Sequence, residues 1–509
     1  MRITNNMITS NTKSNINSNK LLVDKYNTQM TTQKKISKAS ENPVIAIRSL
    51  RLSTTMTHIT QYVDNNIPDA SAWMDVTQTA LSNMTGLLTN IRTHCVNGST
   101  DTLTSDDRQT ILDDLKALSE QVYTEGNADY AGKTVFTGYR TSSNLTFDAD
   151  EAHTKYQISQ TCDFSDLEEK RYYTGTVQVP EALTDNIKDC DTKISEMVYE
   201  RIRLAYNGNT ELKNVSYKLN DGTEVALVTD GTPTGNCKIF ATEEEWEADT
   251  SNKEIGKTVG DDEIIYIQNT GEFIFGKEIA NKISDKRGEF SIEYTKEGFD
   301  KGELRPEYYY DCVDITNDDP DHHITYTKEV QDINYTIAGG TTLTINTQAS
   351  DVFNTDIIRD VEELINVLKK ANDADDKVTK IKRMMTESQY SDEESQKRLQ
   401  TYLDAAEKER DYAEDNLQKT YEQYISRFDG YLESVNIAVT NNGSMKNRLT
   451  MVQMRVENQQ MTIEKLKSSN EDRDISEVII DYYAAYNAYQ SSLTAAGKLE
   501  QTSLLDYIR

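Results

Sequence analysis

The sequence predicts a chain that is mainly α at both ends, with an antiparallel β-rich domain inserted between them. The ends read as long coiled-coil-like helices from the N- and C-terminal segments, giving an elongated molecule. Proline and glycine partition the chain. All six prolines (Pro43, Pro68, Pro180, Pro233, Pro306, Pro320) precede residue 321, and after Gly340 the only glycines are Gly430, Gly443 and Gly497. The last third is therefore free to run as helix, while the middle carries the turn formers. Apolar residues recur at alternating steps of four and three on both sides of that middle, the seam of a coiled coil. Hydrophobic content of 36% and a mean hydropathy of −0.70 are low for one compact globule. They suit helices that bury a single face.

Residues 1–44 form an N-terminal arm rich in Asn, Thr and Ser, with scattered Ile3, Met7, Ile8, Ile16, Leu21, Leu22, Val23, Tyr26 and Met30. Few apolar side chains offset ordering costs of about 1–2 kcal/mol per residue, so the arm is expected to become helical only when something packs on it. Residues 45–141 read as the first half of a helical rod. Its seam runs through Leu52, Met56, Ile59, Val63, Ala70, Trp73, Ala80, Met84, Leu87 and Ile91. Pro68 should kink or restart it, and Gly98 closes it. Thr104 with Asp107 resembles a capping box opening a second helix, with Ile111, Leu115, Leu118 and Val122 on one face. The short polar loop between these helices suggests an antiparallel pair.

Residues 142–350 read mostly as strand and turn. Ile264 to Ile267 and Phe273 to Phe275 flank Gln268-Asn269-Thr270-Gly271, a hairpin pattern. Ser291 to Tyr294, Ile324 to Tyr326, and Asn334 to Ile337 through Gly339-Gly340 to Ile345 add strands, and short helices are expected around Asp191 to Tyr206. Helix returns over 351–470, the second half of the rod. A break is expected near Tyr390, with Ser391 and Glu394 as a capping box. A seam follows through Leu399, Leu403, Ala406, Ala413, Leu417, Tyr424, Tyr431, Val435 and Ala438. Gly443 is read as a turn, and Asn470 to Asp474 as a polar joint.

The C-terminal arm, 471–509, pairs with 1–44 in this reading. Ile475, Ile479, Tyr482, Tyr486, Tyr489, Leu493 and Ala496 form one stripe. A second row, Val478, Tyr482, Ala485, Tyr489, Ala496 and Leu499, widens it, and Leu504, Leu505 and Ile508 extend it. With Ile3 and Met7 these residues are the expected assembly interface. Large side chains contribute about 1.5–3 kcal/mol each when buried, so the stripe needs a partner, either this chain or another copy.

A formal charge of −30 argues against nucleic acid and against a basic membrane-surface helix. No run approaches the length of a membrane-spanning helix. Tyrosine is frequent, 29 against 10 Phe, and suits surfaces that are wet in one state and buried in another. Cys95, Cys162, Cys190, Cys237 and Cys312 are odd in number and widely spaced, with no C-x-x-C. Neither a disulfide framework nor a zinc site is expected. The start, Met1-Arg2-Ile3-Thr4, has no apolar h-region, so no conventional signal peptide is expected. Asp318-Asp319-Pro320-Asp321-His322-His323 matches no standard metal spacing and reads as a solvated loop. No phosphate loop, nucleophile elbow or H-E-x-x-H occurs. No catalytic, cofactor-binding or metal-binding residue is assigned.

Four stretches resemble the flagellin superfamily, and within it the branch that joins hook to filament. Asn127 with Gly132-x-x-Val135-Phe136-Thr137-Gly138 is similar to the family's N-x-x-x-x-G-x-Y-x-F-x-G, with Thr134 in place of the Tyr. Asn346-Thr347-Gln348-Ala349-Ser350-Asp351-Val352-Phe353 resembles the family's re-entry into helix. Gly443-x-x-x-Asn447-Arg448-Leu449 is similar to G-x-x-x-N-R-L, and Asp472-Arg473-Asp474 to D-x-D. The ending Ser503 to Ile508 resembles S-L-L-D-Y-L.

The resemblance implies a structural protein without enzymatic activity or cofactor, located extracellularly in the bacterial flagellum. It implies export by the flagellar type III pathway without a cleaved signal peptide, and termini that are disordered until assembly. Implied partners are copies of itself in a ring, another hook-associated protein on the hook side, and flagellin or a second junction protein on the filament side. An export chaperone on the C-terminal segment is also implied; nucleic acid and membrane are not. A filament-forming flagellin is the alternative. A secreted acidic binding or enzymatic β module on a helical stalk is the second.

Overall fold

A computed structural model describes residues 5–100, 103–180, 194–249 and 257–505; the side chains of 5 and 499–505 lie outside the description. In chain order the helices and strands open with α1 (Asn5–Thr32), α2 (Pro43–Gln61), a π turn (Tyr62–Asn66), α3 (Ile67–Gly98) and α4 (Ser105–Val122). The strands β1 (Asp129–Tyr130), β2 (Lys133–Thr134), β3 (Glu151–Asp163), β4 (Glu168–Thr174), β5 (Ser195–Arg203), β6 (Asn209–Lys218), β7 (Glu224–Thr229), β8 (Thr232–Pro233) and β9 (Cys237–Phe240) follow. Then come α5 (Glu243–Ala248), β10 (Ile264–Ile267), β11 (Glu272–Phe275), α6 (Lys277–Asp285), β12 (Glu289–Phe299), β13 (Asp311–Asp314), β14 (Ile324–Tyr326), β15 (Asn334–Ala338) and β16 (Thr341–Thr344). The chain closes with α7 (Asp356–Thr386), α8 (Glu393–Glu471) and α9 (Ile475–Leu505). Helices from the two ends with a central β domain are thus the observed class.

The chain divides into two compact units. One comprises Met1–Ser71, Asn334–Leu343 and Lys446–Arg509; the other comprises Ala72–Ile333 and Thr344–Met445. In the first, α1 packs along α9. Asn19 Nδ2 donates to Ser492 Oγ at 2.7 Å, while the far end of α1 meets the start of α9, so the two run antiparallel. Pro68 does not stop its helix. It has no N–H to offer Asp64 and its ring would strike that carbonyl. The preceding turn widens to π, the Ile67 N–H reaching Tyr62 O. This turn receives the β15–β16 hairpin, Asn66 Nδ2 donating to Thr336 O at 2.7 Å.

In the second unit α3 and α8 lie antiparallel. Gly98 faces the Tyr421 ring, Arg92 pairs with Asp429, and buried Asn442 donates to Met74 O at 2.9 Å. The Thr104–Asp107 capping box opens α4 as read. The partner of α4 is chiefly α7, with Tyr123 Oη donating to Asn354 O at 2.6 Å; towards α3, His94 Nε2 lies 3.8 Å from Asp114.

Two sheets share one core. A seven-stranded sheet has the order β14-β13-β3-β12-β6-β7-β8, and a five-stranded sheet the order β4-β5-β11-β10-β9. Ile158, Phe290, Ile292 and Tyr294 of the first pack with Ile202, Tyr266, Phe273 and Phe275 of the second. The 264–267/272–275 hairpin forms as predicted.

The β domain is antiparallel as expected, although β10 pairs parallel with β9. Three expectations are corrected. Short helices do not form over the described part of 191–206; Ser195–Arg203 is a strand, because sheet neighbours on both sides supply its hydrogen bonds. Gly443 is no turn: α8 runs straight through it, since neighbouring helix formers and packed Asn442 outweigh one glycine. The N-cap of α8 is Asp392, whose carboxylate accepts from Ser395 N at 2.8 Å, while Ser391 Oγ turns back to Ser388 O.

Candidate assembly interface

The polar joint at 470–474 clasps the chain reversal after α1. Lys34 and Asp472 form a β-bridge, and Lys34 Nζ lies 2.6 Å from the Asp472 carboxylate. Lys35 N donates to Glu471 O at 2.7 Å, and Arg473 N to Gln33 O at 3.0 Å. Gln33 has φ +56°, a left-handed backbone that costs a non-glycine residue about 1–2 kcal/mol. Asp474 caps α9, its carboxylate accepting from Ser476 N at 2.7 Å and its carbonyl from Val478 N at 3.1 Å. The hydrogen bond from Lys34 holds the Asp472 carboxyl below its ordinary range, and the bond from the Ser476 N–H does the same for Asp474.

Beyond the joint, α9 turns its second row towards α1. Val478 and Ala485 are buried, while Tyr482, Tyr489 and Ala496 are half-buried. The facing residues of α1, Thr12, Ile16, Asn19, Val23, Tyr26 and Met30, follow the same four–three rhythm. Among the described residues, the rest of the stripe is left partly uncovered. Ile475, Ile479, Tyr486 and Leu493 are between 38% and 46% exposed, and Ile480 and Tyr483 more so. Tyr482 and Tyr486 stack at 6.1 Å. Met7 is likewise exposed. Ile3 and Ile508 lie outside the described residues, as do the side chains of Leu504 and Leu505.

The motif residues fall into two groups. Asn127 is a structural pin: its amide donates to Thr146 Oγ1 at 2.7 Å, and its carbonyl accepts from Leu145 N at 2.8 Å. Ala131 and Gly132, with φ +53° and +75°, form the two-residue turn between β1 and β2. Phe136 packs edge-on to Phe353 at 5.0 Å, and Ala349 N donates to Phe136 O at 3.1 Å, so the 127–138 and 346–353 stretches meet. Gly138, at φ +60°, lies against Gln331, where a Cβ would clash. Thr134, in the family's Tyr position, donates within the loop to Ser143 O at 3.0 Å. By contrast Asn447 and Arg448 stand exposed on α8.

One buried ionic cluster was not foreseen from the sequence. Arg201 and Arg203 of β5 meet Glu168 of β4 at 2.8 and 2.9 Å. Arg201 also reaches Glu272 of β11 at 2.8 Å and Glu363 of α7. Arg203 reaches Asp360 of α7; Arg427 of α8 pairs with that same Asp360 at 2.8 Å and with Glu168. Lys170 bridges Glu272 and Glu363 at 3.0 and 3.1 Å. Tyr424 and Tyr431 of α8 donate to Glu363 and Asp360. Burial alone would raise the Glu168 carboxyl, but Arg201, Arg203 and Arg427 outweigh it and hold it at about 2. Burial also opposes ionisation of Glu363, and Arg201, Lys170 and Arg203 overcome it. These bonds hold the five-stranded sheet on α7 and α8. The arginines two apart, Arg201-Ile202-Arg203, were the available signal, but nothing local names carboxylates elsewhere in the chain. Among the described residues no group of three His, Cys, Asp or Glu side chains could hold a metal ion, and no helix is long and apolar enough to cross a membrane. The described cysteines, Cys95, Cys162, Cys237 and Cys312, are free thiols, buried and pushed up in pKa by that burial.

Residues 3–141 match the family described as the bacterial flagellin N-terminal helical region. The chain is similar to flagellar hook-associated protein 3 of Escherichia coli K12, 29% identical over 120 residues, covering 23% of this chain and 38% of that protein. It is 26% identical over 144 residues to flagellar hook-associated protein 3 of Salmonella typhimurium LT2, covering 28% and 45%. The chain thus spans less than half the length of the curated relatives it matches. Among solved structures it is similar to the flagellar junction protein FlgL from Legionella pneumophila, at 12% identity and a TM-score of 0.30, covering 84% of this chain and 100% of that one.

Proposed function

We propose that this chain is a structural subunit of the bacterial flagellum, joining hook to filament through a ring of self-associating helical termini. The observation that carries the reading is the width of the apolar stripe on α9: α1 covers one row and leaves Ile475, Ile479, Tyr486 and Leu493 partly exposed. The flagellin-type N-terminal region and the two named relatives support the same reading. In this proposal residues 1–44 and 471–509 are arms, 45–141 with 351–470 form the rod, and 142–350 is an outward insert. The arms complete their order only among other copies. Hook-side and filament-side neighbours, an export chaperone on the C-terminal segment and export without a cleaved signal peptide belong to the same proposal, and no catalytic role does.

The test is a strain lacking its own copy of the gene, complemented with the full chain. Wild type is expected to restore attached filaments. Tyr486→Asp, a charge on the uncovered row, is expected to leave the monomer folded and to abolish attachment, since each lost apolar contact is worth about a tenfold change or more in affinity. Attached filaments with Tyr486→Asp, or none with wild type, would sink the reading.

A further inference from the structure

The four–three stripe explains how α1 and α9 adhere along their length, but not what fixes where their pairing starts. Apolar stripes of Ala, Tyr and Val tolerate sliding by a heptad, because neighbouring positions are chemically alike. In the distal turns Asn19, bonded to Ser492, breaks that likeness; at the joint, where the pairing starts, the residue that does so is Arg473. Its backbone N–H donates to Gln33 O at 3.0 Å. Its Nη1 donates to Gln29 Oε1 at 2.5 Å. Its Nη2 pairs with Asp481 on the second turn of α9, and its guanidinium lies 5.4 Å over the Tyr26 ring. One residue thereby touches the chain reversal through its backbone, and the last two turns of α1 and the start of α9 through its side chain. Gln29 completes the set: only 4% exposed, it spends its other end on Lys35 O at 2.6 Å. The reversal it holds carries the left-handed Gln33, a backbone that persists only where surroundings over-determine it.

We propose that Arg473 is the positioning residue of the arm pair, and that it divides each arm into two parts. The turns near the joint, 24–35 and 470–485, are set within the single chain; the distal turns, 6–20 and 488–498, gain their order from neighbouring copies. The proposal rests on the assembly reading for the second half of that sentence alone. Lysine cannot replace the arginine, because a point ammonium lacks the planar fork that reaches Gln29 and Asp481 together while covering Tyr26.

Amide hydrogen exchange on the purified full chain tests it. In wild type, amides of 24–32 and 475–485 are expected to exchange at least tenfold more slowly than those of 6–20 and 488–498. R473A and R473K should both erase that difference, while the 264–275 hairpin keeps wild-type protection and so shows that each variant is folded. Equal exchange along the whole wild-type arm, or full protection in R473K, would overturn the proposal. In the complemented strain R473A is expected to fail in filament attachment; wild-type attachment despite lost protection would overturn the positioning role. The exchange gradient is read on the isolated chain, so its failure is distinguishable from failure of the wild-type chain to restore filaments, which bears only on the flagellar reading.

Discussion

Gly443 and Gly98 sit on helices of the same unit and answer the same substitution in opposite ways. A Cβ at Gly443 would meet nothing within 4 Å. Gly443→Ala is therefore expected to raise stability by about 0.5–1 kcal/mol, the ordinary cost of glycine in a helix interior, read as a higher urea midpoint at unchanged slope. A Cβ at Gly98 would lie 2.3 Å from Tyr421 Cζ. Gly98→Ala must displace a ring buried in the α3–α8 seam and is expected to cost about 1–3 kcal/mol. Equal midpoints for the two variants would contradict the packing described. The motif glycine is thus not required by the fold of one chain, whereas the glycine outside the motif is.

At the scale of elements, the sheet and the helices beneath it are joined by charge as well as by apolar packing. Four cations, Arg201, Arg203, Arg427 and Lys170, face four anions, Glu168, Glu272, Glu363 and Asp360, in a site buried at its centre and partly open at Lys170 and Arg427. Such a cluster is poor evidence of net stability but costly to break, about 3–5 kcal/mol for loss of one partner. Glu168→Gln should therefore destabilise by that order. The carboxyls of Glu168, Glu272 and Glu363 are depressed, Glu168 from 4.5 to about 2. A depressed acid contributes stability above its unfolded value and loses it as pH falls through its folded one. Acidification from about pH 4.5 to 2 is expected to change the fluorescence of Trp246, buried behind the five-stranded sheet, before helical circular dichroism falls. A flat signal across that window would remove the role given to these pairs.

At the scale of the whole molecule, every copy carries a formal charge of −30. Like-charged copies repel over a Debye length of about 10 Å at 0.1 M salt, and this repulsion opposes self-association. If the uncovered α9 row drives association, added salt should help it by screening that repulsion. Sedimentation at 50 and 300 mM salt is expected to show more of the associated species at the higher value. The reverse trend would mean that ion pairs between copies carry the contact.

Much of the architecture was readable in the residues. The confinement of proline to residues before 321, with only Gly430, Gly443 and Gly497 after Gly340, marks where the last long helices run, because those residues act on local backbone geometry. The Thr104–Asp107 cap, the 264–275 hairpin and the Asp474 start of α9 are likewise local chemistry. What only the tertiary structure decided depends on partners far away in sequence: which row of α9 meets α1, that Ser195–Arg203 is a strand, and that Glu168 finds three arginines. The same holds for Arg473. The sequence places it as the variable letter of a D-x-D motif, and only the meeting of two chain segments more than four hundred residues apart makes it the residue that grips both arms. Short-range patterns state what each segment prefers; long-range charge and hydrogen-bond pairing is settled only when the segments are brought together.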